Sequence, residues 1–197
     1  MEFLGDFILM ALAALSLENA IFTRALGISK SVFTVQRTRQ IIAYGAIVTV
    51  MTTIASMICA PISELDAVRS WASLYRSILY LVIISAVYVV AYQLMKLLPK
   101  TFQSRFGSFL SLAIFNCAVF GSIMLSSAQM LNFAKYVGFG FGTGVGFTIA
   151  YLMVSEGRRR LELSSVPRAF RGFPITLMYI GILSLAFYGL TGHQLPL

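Results

Sequence analysis

The stretch Ser77–Met95 reads SILYLVIISAVYVVAYQLM and carries no charged residue. It lies within an apolar run over 72–95. A helix needs about 20 mainly apolar residues to cross the hydrocarbon of a bilayer, and this run supplies them. Working outward, five more stretches meet the same condition, over 7–26, 39–60, 107–128, 133–155 and 173–191. Pro61 follows the second stretch and Pro99 the third, and Pro174 opens the last, where a missing N–H costs little. The expectation is an all-α integral membrane protein of six transmembrane helices.

Composition agrees. The chain has 197 residues, of which 58% are hydrophobic and 11% charged. A soluble domain carries about a quarter charged residues, and one core of this size could not hide so much apolar surface. The length suits a single domain. The loops are short. The longest, over 156–172, has room for a short surface helix ending at Pro167 but not for a soluble catalytic module. The first residues, Met1-Glu2-Phe3-Leu4-Gly5-Asp6, place no basic segment ahead of the apolar stretch. The first helix is therefore expected to be retained as its own insertion signal.

The net charge of +8 is placed between the apolar runs, which reads as membrane orientation rather than nucleic-acid binding. Arg24, Lys30, Arg37 and Arg39 lie in the first such loop. Lys96, Lys100 and Arg105 lie in the third, and Arg158, Arg159, Arg160, Arg168 and Arg171 in the fifth. These are twelve of the fifteen basic residues. The other side has Glu2, Asp6, Glu64 and Asp66 with Arg69, Arg76 and Lys135. Basic residues stay cytoplasmic, so both termini are expected to face outward across a bacterial inner membrane.

Polar residues inside the apolar runs are the candidate functional groups. Glu18 and Asn19 fall in the first stretch, where a carboxylate costs about 2.5–3.5 kcal/mol. Such a group marks an ion or proton site, a group shaping a cofactor pocket, or a neutral acid bonded to a neighbouring helix. Asn116 and Cys117 fall in the fourth stretch. Asn19-Ala20-Ile21-Phe22 and Asn116-Cys117-Ala118-Val119-Phe120 occupy corresponding places in two halves, about 1–98 and 99–197. Three helices in each half would put the halves in inverted orientation. The fifth stretch has Gly138, Gly142 and Gly146 on one face and Gly140 and Gly144 on the other. That spacing suits close helix packing or the lining of a cavity by a broken helix. Cys59 reads as packing. A lone histidine, His193, supports neither a zinc site nor a Ser-His-Asp triad.

These residues resemble the small six-helix membrane subunits of the Rnf and Nqr ion-translocating oxidoreductases, the Rnf A-type and Nqr E-type above all. The resemblance rests on Glu18-Asn19, Ala25-Leu26-Gly27-Ile28-Ser29, Asn116-Cys117-Ala118-Val119-Phe120-Gly121 and Gly138-Phe139-Gly140. It continues through Val145-Gly146-Phe147, Val166-Pro167, Phe170-Arg171-Gly172 and Ser184-Leu185-Ala186-Phe187. It implies a subunit that moves electrons across the bilayer coupled to ion translocation. It also implies a homodimer or a heterodimer with a paralogous six-helix subunit, neighbouring flavin and iron–sulfur subunits, and an iron–sulfur cluster held by two cysteines from each chain. Cys117 matches one of those cysteines. Ser29 falls where the family has the other, and serine is a poor ligand for iron–sulfur chemistry. Two alternatives follow. One is a transporter that keeps the fold without the cluster, lined by Glu18, Asn19, Asn116 and the glycines. The other is a purely structural membrane subunit.

Overall fold

The computed structural model describes residues 2–27, 37–69, 72–97, 107, 109–110, 112–113, 116–163 and 167–191. Their regular structure is helical: α1 (Glu2–Ser16), α2 (Thr38–Glu64), the short α3 (Asp66–Arg69), α4 (Ser73–Lys96), α5 (Cys117–Ala128), α6 (Phe133–Leu163), a 3-10 turn (Arg168–Phe170) and α7 (Phe173–Thr191). By length and composition α2, α4 and α6 can each cross a membrane.

The helices depart from the sequence reading at particular places. The first apolar stretch is not one helix to residue 26: α1 stops at Ser16, and the chain turns through 17–27. The fourth stretch is broken too. Helical residues precede Asn116, and α5 starts afresh at Cys117. At 15 and 12 residues, α1 and α5 reach about 22 and 18 Å, short of a hydrocarbon core of about 30 Å. The second stretch runs past its expected end, and Pro61 is accommodated inside the last turn of α2. The fifth reaches Leu163 because Glu156 pairs with Arg159 and Arg160 at 3.8 and 3.7 Å, one turn away on the same helix face.

Helix α6 is the mast of the molecule. Its glycines present bare backbone on two sides. A side chain at Gly138 would strike the backbone of Phe7, at Gly142 that of Ala11, and at Gly146 that of Leu15. Both series ascend, so α1 runs parallel to α6. On the other side Gly140 meets Ser56, Gly144 meets Thr49, and Gly45 of α2 meets Thr148. Here the series run opposite ways, so α2 is antiparallel. Lys135 and Asp6, 3.7 Å apart, tie the first turns of α6 and α1. The Glu64 carboxylate at the end of α2 accepts from the Phe133 N–H, 3.1 Å away, at the start of α6. In contrast, α4 buries only Tyr80 and Ile84. Its Leu81, Val82, Val89 and Val90 are more than half exposed, an apolar surface that suits lipid rather than water.

Candidate functional site where two chain breaks meet on α6

Each break is headed by an asparagine that does the same local work. The Asn19 Oδ1 accepts from the backbone N–H groups of Ile21 and Phe22, at 3.0 and 3.3 Å. The Asn116 Oδ1 accepts from the N–H of Ala118, at 3.1 Å, and caps α5. A side-chain carbonyl near the main chain competes with the helix ladder and permits a break. Both asparagines are buried, at 3% and 2% exposure, so their amide NH₂ groups also need partners. Asn19 donates to the Gly146 carbonyl of α6 at 3.1 Å. Asn116 donates to the Tyr44 hydroxyl of α2 at 3.2 Å, and Tyr44 in turn donates to the Leu112 carbonyl at 3.1 Å.

The two breaks touch. The backbone N–H of Gly27 donates to the Cys117 Sγ at 2.8 Å. Gly27 has φ +84, a left-handed conformation that glycine adopts freely, and a Cβ there would run into the buried ring of Phe147. Two residues earlier Ala25 also has positive φ, at 54, which strains a residue with a Cβ. Phe147 and Tyr44 lie edge to face, with ring centroids 6.1 Å apart, and Tyr151 closes on Tyr44 at 6.0 Å. The site is thus Asn19, Gly27, Asn116 and Cys117 set on Gly146 and Phe147 and backed by Tyr44.

Glu18 is not gathered with the two asparagines. Its carboxylate pairs with Arg24 at 3.1 Å and accepts from Gln129 Nε2 at 3.2 Å, and the Glu18 and Arg24 side chains are 29% and 42% exposed. An unpaired carboxylate in an apolar run is costly, and the turn after Ser16 answers that by bringing Arg24 back onto it. Gly138, Gly140, Gly142, Gly144 and Gly146 sit in a continuous helix packed tightly on both faces. Ser29 and His193 lie outside the described residues. Cys59 is fully buried in α2 beside Tyr80 and Tyr136, whereas Cys117 is exposed. Tyr44 and Gln129 were not singled out from sequence, and Phe147 and Arg24 entered only as part of a family motif and as a basic loop residue. Their roles depend on contacts between helices or across a non-helical turn, which no periodicity displays.

The fold and the paired breaks define a helical membrane protein in which non-helical backbone is buried against a central glycine-rich helix. The chain belongs to the Rnf-Nqr family, whose model, described as Rnf-Nqr subunit, membrane protein, matches residues 7–194. It is similar to the A-type subunit of the Na(+)-translocating ferredoxin:NAD(+) oxidoreductase complex of Acetobacterium woodii, 28% identical over 188 residues that cover 95% of this chain and 98% of that protein. The A-type subunit of the ion-translocating oxidoreductase complex of Vibrio cholerae is 28% identical over 188 residues, covering 95% and 97%. Its counterpart of the same description from Aromatoleum aromaticum is 45% identical over 112 residues, covering 57% and 58%.

Proposed function

We propose that this chain is a membrane subunit of an Rnf-type ion-translocating electron-transport complex in the bacterial inner membrane. In this reading it has two inverted three-helix repeats and outward termini, and it pairs with a second six-helix subunit beside flavin and iron–sulfur subunits. The observation that carries it is the junction of the two asparagine-headed breaks at Gly27 and Cys117. It supports the reading because the two corresponding segments, one from each half, converge on one spot of α6. Broken helices buried in protein are how a membrane fold admits polar backbone.

The residues do not fit an ordinary four-thiolate iron–sulfur centre made by two like chains. The chain has two cysteines. Cys117 stands at the junction, and Cys59 is sealed beside Tyr80 and Tyr136. Two copies would bring two thiolates where four are needed. Among the described residues no three of His, Cys, Asp or Glu are gathered to hold a metal. No electron step is therefore assigned to Cys117. What the chain itself supplies is the scaffold: α6 clamps α1 and α2, and the asparagines hold the breaks open at its centre.

A second reading rests on Ser29, which stands at a family cysteine position: a transporter that keeps the fold without the centre. Mild purification of the tagged full chain from native membranes separates the two. Co-purification with a second six-helix subunit and with flavin or iron–sulfur subunits is expected. A chain that purifies without any redox subunit overturns the first reading in favour of the second.

A further inference from the structure

Two hollows open between α2 and α4. One, of about 400 Å³, is walled by Ala43, Ala46, Ile47 and Val50 of α2 with Met95 of α4. The other, of about 380 Å³, is walled by Ile54 and Ile58 of α2 with Ile83, Val87, Val90 and Leu94 of α4. Met51 lines both, so they join into one groove. From Ala43 to Ile58 the groove follows α2 for about 22 Å, at about 1.5 Å per residue. None of the described lining residues is polar. A bound water needs two to four polar partners, so the groove suits an apolar occupant.

The walls decide between a helix and a lipid chain. Membrane helices meet through small residues that let their backbones approach, as α6 meets α1 and α2. Helix α4 has no glycine, and its side of the groove is built of Ile83, Val87, Val90 and Leu94. A helix about 10 Å across would rest on the tips of those side chains. A thin, flexible acyl chain runs between them.

The charges decide which lipid. Met95 lines the hollow with Ala43 and Ala46, while Tyr80 lies beside Cys59, so α4 runs antiparallel to α2. Arg39 in the first turn of α2 and Lys96 at the last residue of α4 therefore stand at the same end of the groove, both exposed. Tyr88 and Tyr92 stack with centroids 5.9 Å apart, and the Lys96 ammonium lies 4.6 Å from the centre of the Tyr92 ring. Tyrosine and lysine at a helix end belong at the level of lipid headgroups.

We propose that the groove between α2 and α4 is a site for an anionic phospholipid, with an acyl chain along Met51 and the headgroup phosphate at Arg39 and Lys96. Two cations at one end of an apolar groove complement a headgroup with net negative charge. Each contributes about fivefold in affinity near a membrane surface. The inference rests on the membrane character of the chain and not on the redox reading above.

The tagged full chain, freed of native lipid in mild detergent, is titrated with phosphatidylglycerol or phosphatidylcholine and read by native mass spectrometry. Phosphatidylglycerol should bind first and at one site. Arg39→Gln and Lys96→Gln should each reduce that preference about fivefold. Ala46 and Ala86 are exposed lining residues, so Ala46→Phe and Ala86→Phe should fill the groove, keep the melting temperature of the lipid-free chain and weaken binding of both lipids. Should a phenylalanine variant fail to fold, the two charge variants still decide. Equal binding of the two lipids by the parent, or a preference that survives loss of both cations, overturns the proposal. If glycerol phosphate competes as well as phosphatidylglycerol and neither phenylalanine matters, the site takes a free phosphate and the groove is not part of it. If Ala86→Cys, in a background with both native cysteines replaced, cross-links two copies in native membranes, a second copy covers the groove and the lipid reading falls.

Discussion

The Sγ of Cys117 accepts a hydrogen bond from the backbone N–H of Gly27 at 2.8 Å, across a sequence separation of 90. The bond exists because Gly27 adopts φ +84 against the ring of Phe147. Gly27→Ala should cost about 2–3 kcal/mol, from the left-handed penalty plus collision with a ring that has no room to move. Ala25→Gly should act the other way and stabilise by about 1 kcal/mol, since it relieves a positive φ. Thermal melts give the signs. Maleimide labelling of Cys117 should quicken in Gly27→Ala, with buried Cys59 as the internal control.

The glycines divide by what surrounds them. Gly142 faces the backbone of Ala11, which cannot swing aside, whereas Gly181 in α7 has nothing within 4 Å. Gly142→Leu should abolish monodisperse folded protein. Gly181→Ala should be neutral or stabilise by up to about 1 kcal/mol through helix propensity. Equal behaviour of the two variants in size-exclusion profiles would show that α1 does not seat in the groove of α6.

Asn116 caps α5 and donates to Tyr44. Asn116→Ala should cost about 1–2 kcal/mol, mostly the lost cap. Tyr44→Phe should cost about 1–2 kcal/mol, since it loses the bond to Leu112 as well. The two share one hydrogen bond, so the double variant should lose less than the sum. Strict additivity in a double-mutant cycle would refute that bond.

The membrane character of the chain, and the ends of α4 and α7, were legible in the sequence because a hydropathy window averages over a whole crossing. The breaks were not, and for the same reason: one asparagine in 20 apolar residues scarcely moves the average. Yet the signal was present as the echo of Asn19-Ala20 in Asn116-Cys117. Each asparagine holds the N–H two residues on, a distance too short for any helical or strand period to reveal. The pairing of Glu18 with Arg24 was not legible, because the two lie six residues apart, a spacing that matches no helix face. The glycine faces were legible, since alternation by two on a helix gives two opposed stripes. Which neighbours fill them, α1 parallel and α2 antiparallel, needed the fold.

Topology is open to direct test. The basic residues at the end of α6 and in the loop after it predict a cytoplasmic position for Arg160 and an outward one for Met130 in the turn before α6. In a background with both cysteines replaced, Arg160→Cys should react with an impermeant maleimide only after cells are opened, and Met130→Cys should react in intact cells. The reverse pattern would invert the protein in the membrane.

The last prediction concerns Ser29. It follows Gly27 by two residues, and Gly27 is the residue whose N–H meets the Cys117 sulfur. In the reading proposed above, Ser29 takes the place of a family cysteine, a hydroxyl for a thiol that differs by one atom. A hydroxyl is a harder and far less acidic donor than a thiol, so it does not replace thiolate toward iron in a sulfide-rich centre. The unmodified chain, purified alone, should therefore carry little or no iron and acid-labile sulfide. Ser29→Cys should raise both, because a pair of such chains then offers four thiolates, and the reduced protein should gain an electron paramagnetic resonance signal. Cys117→Ser in the same background should remove the gain, which separates a centre at the junction from iron bound elsewhere. Stoichiometric iron and sulfide in the unmodified chain would mean that Ser29 ligates after all. If Ser29→Cys gains no iron while the fold and the reactivity of Cys117 are kept, the pocket has been remodelled beyond its ligands, and the transporter reading takes precedence.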